Sequence, residues 1–296
     1  MGVDRRTALK GMAAAGAALL VTGREDQARE KHTAPDDAVG MLYDATLCIG
    51  CKTCVVACKQ ANDMPPDRSG IKDPLYDAPT DLNGKTRNII KLAKIDDKTS
   101  YMKAQCMHCI DPGCVGACMI GAYQKREHGI VTWDGTRCIG CRYCEVACPY
   151  LVPKFQWDKA IPKMVKCEMC NHRIAEGKIP ACCEVCPRHA VIYGKYTDLV
   201  AEANKRLQDT PDRYFPKVFG LNDGGGTQVL YLSKAGIDFQ ALGLPDLGER
   251  PVPELAQEVQ HGIYQGFIAP AVLYVILGGV IWRNKKSAGH GEEVKP

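Results

Sequence analysis

The sequence predicts an α+β chain in which two small modules are interleaved and an apolar helix closes the C-terminal end. Three observations predict it. Four groups of closely spaced cysteines lie between positions 48 and 186, a 15-residue unit recurs 90 positions on, and 262–282 is a 21-residue run without a charge.

Composition narrows the chemistry. In 296 residues the hydrophobic share is an ordinary 46%, yet there are only five Phe and three Trp against 17 Cys. That is too many thiols for packing or for a single nucleophile, so metals or disulfides must help hold the fold. The net charge of +4 is mild and the basic residues are scattered among acidic ones. No nucleic-acid footprint results. No Ser/His/Asp set, phosphate-binding glycine loop or carboxylate pair stands out, so the chain reads as non-catalytic.

The groups are Cys48-x2-Cys51-x2-Cys54-x3-Cys58, Cys106-x2-Cys109-x4-Cys114-x3-Cys118, Cys138-x2-Cys141-x2-Cys144-x3-Cys148 and Cys167-x2-Cys170-x11-Cys182-x3-Cys186. Three close thiolates on a loop can wrap one 4Fe–4S cube while the fourth, carried off by a short helix, serves a neighbouring cube. Pro149 and Pro187 follow two of these fourth cysteines and help redirect the chain, whereas Lys59 and Met119 follow the other two. Zinc usually takes cysteines in pairs, so the middle thiolate of each triple would have no role at a tetrahedral ion. Disulfides are the other rival. In the fourth group the x3 interval selects Cys182 over the adjacent Cys183. His108, His172 and His189 lie beside cluster cysteines but are not needed as ligands, because sixteen cysteines make four complete sets. Lys52 and Arg142 could tune nearby clusters.

The repeat runs from Asp44-x-Thr46 through Cys58 and returns as Asp134-x-Thr136 through Cys148. It marks duplication of a ferredoxin-like unit. Between the second and third groups, Tyr123–Lys125 and Ile130–Trp133 read as a hairpin turning near His128-Gly129. Those two groups therefore form one two-cluster module. Gly40–Asp44 and Ala190–Gly194 each lack a mate unless they pair together, which joins the first and fourth groups in the second module. The expected sets are Cys48, Cys51, Cys54 and Cys186; Cys167, Cys170, Cys182 and Cys58; Cys106, Cys109, Cys114 and Cys148; and Cys138, Cys141, Cys144 and Cys118. Four 4Fe–4S clusters follow. Pairing of sequence neighbours is the simpler alternative.

Both ends read as addresses. Asp4-Arg5-Arg6 through Lys10, followed by the small apolar run Gly11 to Val21, fits a twin-arginine export signal over 1–23. Val21-Thr22-Gly23 is a poor cleavage site, which leaves an uncleaved signal open. A charged linker follows over 24–40, then the four-cluster region 41–196. Residues 59–105 insert a polar stretch with a strand at Asn88–Ile95 and a turn at Asn83-Gly84. The segment 197–261 opens with a helix at Leu199–Leu207 and then reads as loop-rich, wrapping the modules and facing a partner. The run 262–282 is long enough for a transmembrane helix, since a bilayer core of about 30 Å needs roughly 20 apolar residues. Tyr264 and Trp282 flank it, and Arg283, Lys285 and Lys286 would keep the tail 283–296 cytoplasmic.

From twin arginine to final helix, the chain resembles the polyferredoxin subunits of membrane-bound periplasmic oxidoreductases, a family serving formate dehydrogenase, the dimethyl sulfoxide reductase group and hydrogenase-2. The motifs cover 41–194, and Gly224-Gly225-Gly226-Thr227-Gln228-Val229-Leu230-Tyr231 is similar to a shared C-terminal signature. Met41-Leu42-Tyr43-Asp44, Cys106-Met107-His108-Cys109, Gly140 to Cys144 and Tyr264-x-Gly266 most resemble the hydrogenase-2 branch. The resemblance implies the same cross-pairing of cysteines. It further implies a membrane-anchored electron carrier on the periplasmic face of the inner membrane. Its partners would be the small and large subunits of a nickel–iron hydrogenase and an integral membrane quinone-reactive subunit. The same role in a formate dehydrogenase or sulfur-compound reductase is the alternative.

Overall fold

A computed structural model describes residues 32–66, 79–95 and 97–288. The export signal expected over 1–23 lies outside the described residues, as do residues 24–31 of the linker and 289–296 of the tail. The body, 31–253, and the C-terminal segment from Glu254 are separate units.

Two strands that flank the cysteine region open the central sheet. β1 (Val39–Asp44) runs antiparallel to β8 (Val191–Lys195), with Met41 opposite Tyr193 and Tyr43 opposite Val191. The pairing expected of Gly40–Asp44 and Ala190–Gly194 is present. Beyond it lies an unexpected half of the sheet. β10 (Val229–Lys234) runs parallel to β1, and β9 (Tyr214–Phe219) flanks β10, giving the order β8-β1-β10-β9. The stretch read as a loop-rich wrapper thus supplies two strands of the main sheet. Val229, Leu230 and Leu232 have no exposure, and burying each such side chain contributes about 1.5–3 kcal/mol. The strands are anchored by packing on both faces. The triple glycine before β10 reads as a turn, and Gly224, Gly225 and Gly226 all have positive φ, but the chain leaves that turn straight into the core.

The helix α6 (Tyr196–Asp209) follows β8 and covers one face of the sheet, where Leu199 and Ala203 pack with Leu42, Leu230 and Leu232. It also places Arg206 3.1 Å from the wholly buried Asp44 carboxylate. Tyr214 donates a second bond to the same carboxylate at 2.8 Å. Gly40 is required where β1 meets the start of β10, because a Cβ there would lie 2.2 Å from the Gln228 carbonyl oxygen.

The other pieces are small. β2 (Ile89–Ile95) pairs with β3 (Lys98–Ala104), β4 (Tyr123–Lys125) with β5 (Val131–Trp133), and β6 (Lys154–Phe155) with β7 (Met164–Val165), all antiparallel. The β4–β5 hairpin turns through His128 at φ 57 and Gly129 at φ 73, the position the sequence marks. Short helices carry the later cysteines of each group: α1 (Thr53–Ala61), α2 (Gly113–Gly116), α3 (Tyr143–Val146) and α5 (Ala181–Glu184), with α4 (Asn171–Ala175) after Cys170. α1 packs against α5, and α2 against α3.

The C-terminal helix α7 runs from Val252 to Ala288 over 37 residues, with Pro270 inside it. Among the described residues, no helix is long and apolar enough to cross a membrane. The spanning helix expected over 262–282 is therefore not found there. Side chains are described continuously only from 270, and Arg283 ends the apolar run, so the described stretch falls short of the roughly 20 residues a bilayer requires.

Arg206→Ala tests the link between α6 and the sheet. Arg206 keeps 21% of its side-chain exposure while Asp44 has none. The expected loss is about 2 kcal/mol, below the roughly 3–5 kcal/mol for a fully enclosed pair, read as a lower urea midpoint under anaerobic conditions.

Candidate functional site

The repeated unit is built twice in the same conformation. Asp44 accepts hydrogen bonds from the Thr46 amide at 2.9 Å and its hydroxyl at 2.6 Å. Asp134 accepts the same pair from Thr136 at 2.9 and 2.7 Å. The loop then passes through Gly50 at φ 72 and Lys52 at φ 56, matched by Gly140 at φ 73 and Arg142 at φ 63. Glycine suits this left-handed region; at Gly50 a Cβ would also strike the Tyr101 ring at 2.3 Å. These turns curl three cysteines around one centre and start the helix that carries the fourth away.

All sixteen matched cysteines, and Cys183, are free of disulfides. Their neighbourhoods are compatible with the interleaved scheme. Cys48, Cys51, Cys54 and Cys186 line one cavity together with Tyr43, Lys52 and Lys103. Cys58 lies within electrostatic reach of Cys182 and Cys170, and Cys167 of Cys58 and Cys182. Cys109 is surrounded by Cys106, Cys148 and Cys114. Cys144 is surrounded by Cys118, Cys138 and Cys141. In each case the outlying member is the last cysteine of the partner group, carried across by the α1–α5 or α2–α3 contact.

Neighbouring sets also influence one another electrostatically. Cys54 of the Cys48 set is within electrostatic reach of Cys182 of the Cys167 set. Cys167 is within reach of Cys106, and Cys114 of Cys144. These neighbours link the sets in the sequence Cys48 set, Cys167 set, Cys106 set, Cys138 set. Among these ligand candidates, Cys51 and Cys141, in the two terminal sets, are the exposed ones.

Burial dominates the thiol chemistry. It pushes Cys54 up to about 12 and Cys58, Cys144 and Cys148 up to about 11. Cys182 goes the other way: the Cys183 thiol donates to it and holds it below the usual thiol range, while Cys183 is held above. Local donors help elsewhere. The Ala122 amide donates to Cys118 Sγ at 3.2 Å and the Ala190 amide to Cys186 Sγ at 3.3 Å, a matched pair closing two modules. Met169 N–H reaches Cys167 Sγ at 3.4 Å.

A metal–sulfide group fits these residues. Among the described residues, no three His, Cys, Asp or Glu side chains converge to hold a single metal ion. Buried polar hydrogens beside the sets lack acceptors: the Tyr150 hydroxyl and His108 Nε2 have no partner, while the Tyr123 hydroxyl is directed at the Cys144 sulfur. His108 Nδ1 accepts from the Val131 amide at 3.1 Å, so the ring proton sits on Nε2. Burial, then Lys166 and Lys125, hold this imidazole neutral, well below its usual pKa. Such donors suit sulfide and thiolate sulfurs, which accept hydrogen bonds. His172 and His189 are exposed. Arg142 stacks on Trp157 at 4.6 Å and on Phe155 at 5.7 Å, whereas Lys52 lines the Cys48 cavity.

Three buried lysines escaped the sequence reading. Lys103 has no exposure, Lys166 has 3% and Lys59 has 4%. Lys166 donates to the carbonyls of Val131 and, at 2.9 Å, Cys167. Burial pulls Lys103 down, but Cys182, Cys54 and Cys167 outweigh it and hold its ammonium above the ordinary lysine range. Nothing in a lone lysine within a short strand signals this.

The fold and its cysteine lattice define an iron–sulfur protein, and the 4Fe-4S dicluster domain family matches residues 98–196. The chain is 35% identical to the Hydrogenase-2 operon protein HybA of Escherichia coli O157:H7, over 97% of this chain and 98% of that protein. It is 36% identical to the formate dehydrogenase-O iron-sulfur subunit of Escherichia coli K12, over 66% of this chain and 67% of that one. A formate dehydrogenase iron-sulfur subunit of Haemophilus influenzae is 34% identical over 66% and 64%. The chain belongs to the HybA family of iron–sulfur proteins.

The Cys182–Cys183 assignment is testable by iron content. Cys182→Ala is expected to lower iron per chain by about one quarter, the share of one cube in four, and Cys183→Ala to leave it unchanged. The reverse result would exchange their roles.

Proposed function

We propose that this protein is a non-catalytic relay that passes electrons through four 4Fe–4S clusters in line. The observation that carries it is the chain of electrostatic neighbours linking the four cysteine sets, with the exposed cysteines, Cys51 and Cys141, in the terminal two. Each set supplies four thiolates to one cube, as drawn above. An electron entering at the Cys51 or the Cys141 end has neighbouring acceptors along the whole row.

The donor in this reading is a nickel–iron hydrogenase, through its small and large subunits. The acceptor is an integral membrane subunit that exchanges electrons with quinone. Likeness to HybA over 97% of the chain favours this over a formate dehydrogenase or a sulfur-compound reductase, whose likeness spans less. The body sits on the periplasmic face of the inner membrane, exported folded by the twin-arginine signal. Residues 262–282 anchor it, with the tail in the cytoplasm. Support comes from the exposed apolar side chains of α7, Val272, Leu273, Val275 and Ile281 among them, and from Arg283 and Lys285 beyond them. The described part of that helix is short of a span, so the anchor draws on residues 262–269 of the sequence.

Full-length protein purified anaerobically is expected to hold about sixteen irons with matching sulfide, four to each cube, and to titrate in four one-electron waves. Cys186→Ser and Cys48→Ser are expected to alter the same wave, and Cys58→Ser and Cys167→Ser another. Shared effects between Cys48 and Cys118 instead would reinstate pairing of sequence neighbours.

Mixed with a nickel–iron hydrogenase under hydrogen, the chain is expected to bleach within the mixing experiment. Bleaching only by a formate dehydrogenase with formate would move the assignment to the alternative. For the anchor, the chain is expected to remain with membranes through a high-salt wash, and truncation after 261 to release it. Release of the full-length chain by salt would contradict the anchor.

A further inference from the structure

The cavity of the Cys48 set contains a charge that the ligand scheme does not use. Lys103, on β3, is completely buried. Its ammonium donates to Gln105 Oε1, and its own carbonyl accepts from the Tyr231 hydroxyl at 2.5 Å. It lines the cavity shared by Cys48, Cys51, Cys54 and Cys186. On the other side it is within electrostatic reach of Cys182 and Cys167. The leading groups that face it are thiols and one tyrosine, not carboxylates.

A buried ammonium without a counter-ion is strongly unfavourable, by several kcal/mol. Gln105 satisfies one of its three protons but carries no charge. The negative charge that balances it must come from the two thiolate sets between which it stands. A cube in four thiolates is net negative and becomes more so on reduction, so a fixed cation beside it favours the reduced state.

We propose that Lys103 is a shared counter-charge for the Cys48 and Cys167 sets, holding the reduction potentials of both their clusters above the values they would have without it. It is a positioning residue for electrons rather than a ligand. The proposal rests on the four-cluster reading.

The test is an EPR-monitored redox titration of the full-length anaerobic protein. Lys103→Met is expected to shift two of the four waves to lower potential and to leave the other two in place, at unchanged iron and sulfide content. Gln105→Glu, which neutralises the ammonium without removing it, is expected to lower the same two waves. If the wild-type protein lacks four waves, the relay reading itself fails. If it has them and neither variant moves any, or all four move equally, Lys103 is no counter-charge. If Lys103→Met does not load, Gln105→Glu decides; if neither loads, the lysine is a requirement of folding and the proposal falls.

Discussion

The proposed relay depends on each group's fourth cysteine standing in its partner's set. With Cys58 in the Cys167 set and Cys186 in the Cys48 set, the first and last cysteine groups would be tied across the 108 residues that separate Cys58 from Cys167. The β1–β8 pair makes the same tie in backbone hydrogen bonds, and α1 against α5 makes it in packing. Three interactions of different kinds therefore enforce one topology. The second module repeats the device on a smaller loop with the β4–β5 hairpin and α2 against α3. The cysteines also pack: Cys54 and Cys182 are buried in one apolar core with Met41, Tyr43, Met107, Phe219 and Tyr231.

The electrostatics follow from that burial of thiols. Gathering thiols in the interior raises their proton affinity through desolvation, and this opposes the thiolate state that iron needs. The surroundings answer with donors: the paired amides on Cys118 and Cys186, the Cys183 thiol on Cys182, and the buried ammonium groups of Lys103 and Lys166. The Tyr123 hydroxyl directed at Cys144, and the Tyr150 and His108 hydrogens, have the same character.

The cysteine lattice was legible because its spacing reflects covalent geometry: a loop that wraps a cube has few allowed lengths. The hairpin at 123–133 and the β1–β8 pairing were legible for a related reason, since strands without local mates must find each other. β9 and β10 were not. Pro216 and Lys217 break the apolar alternation of β9, and the glycines at 224–226 read as the end of an element rather than its approach. Lys103 was hidden by the period of its own strand. Ser100, Met102 and Ala104 mark one face of β3 as inward, which sends Lys103 outward. The outward face is covered by the cysteine loops of another part of the chain, and no local pattern records that. The C-terminal apolar run remains a reading of sequence, because α7 is described over too short an apolar stretch to span.

Anomalous diffraction at the iron edge from crystals of the anaerobic protein tests the central claim most directly. The account predicts four compact iron sites in a row, the first bounded by Cys48, Cys51, Cys54 and Cys186 and the last by Cys138, Cys141, Cys144 and Cys118. Fewer sites, single-ion peaks, or a site enclosed by cysteines of the first and second groups together would contradict it.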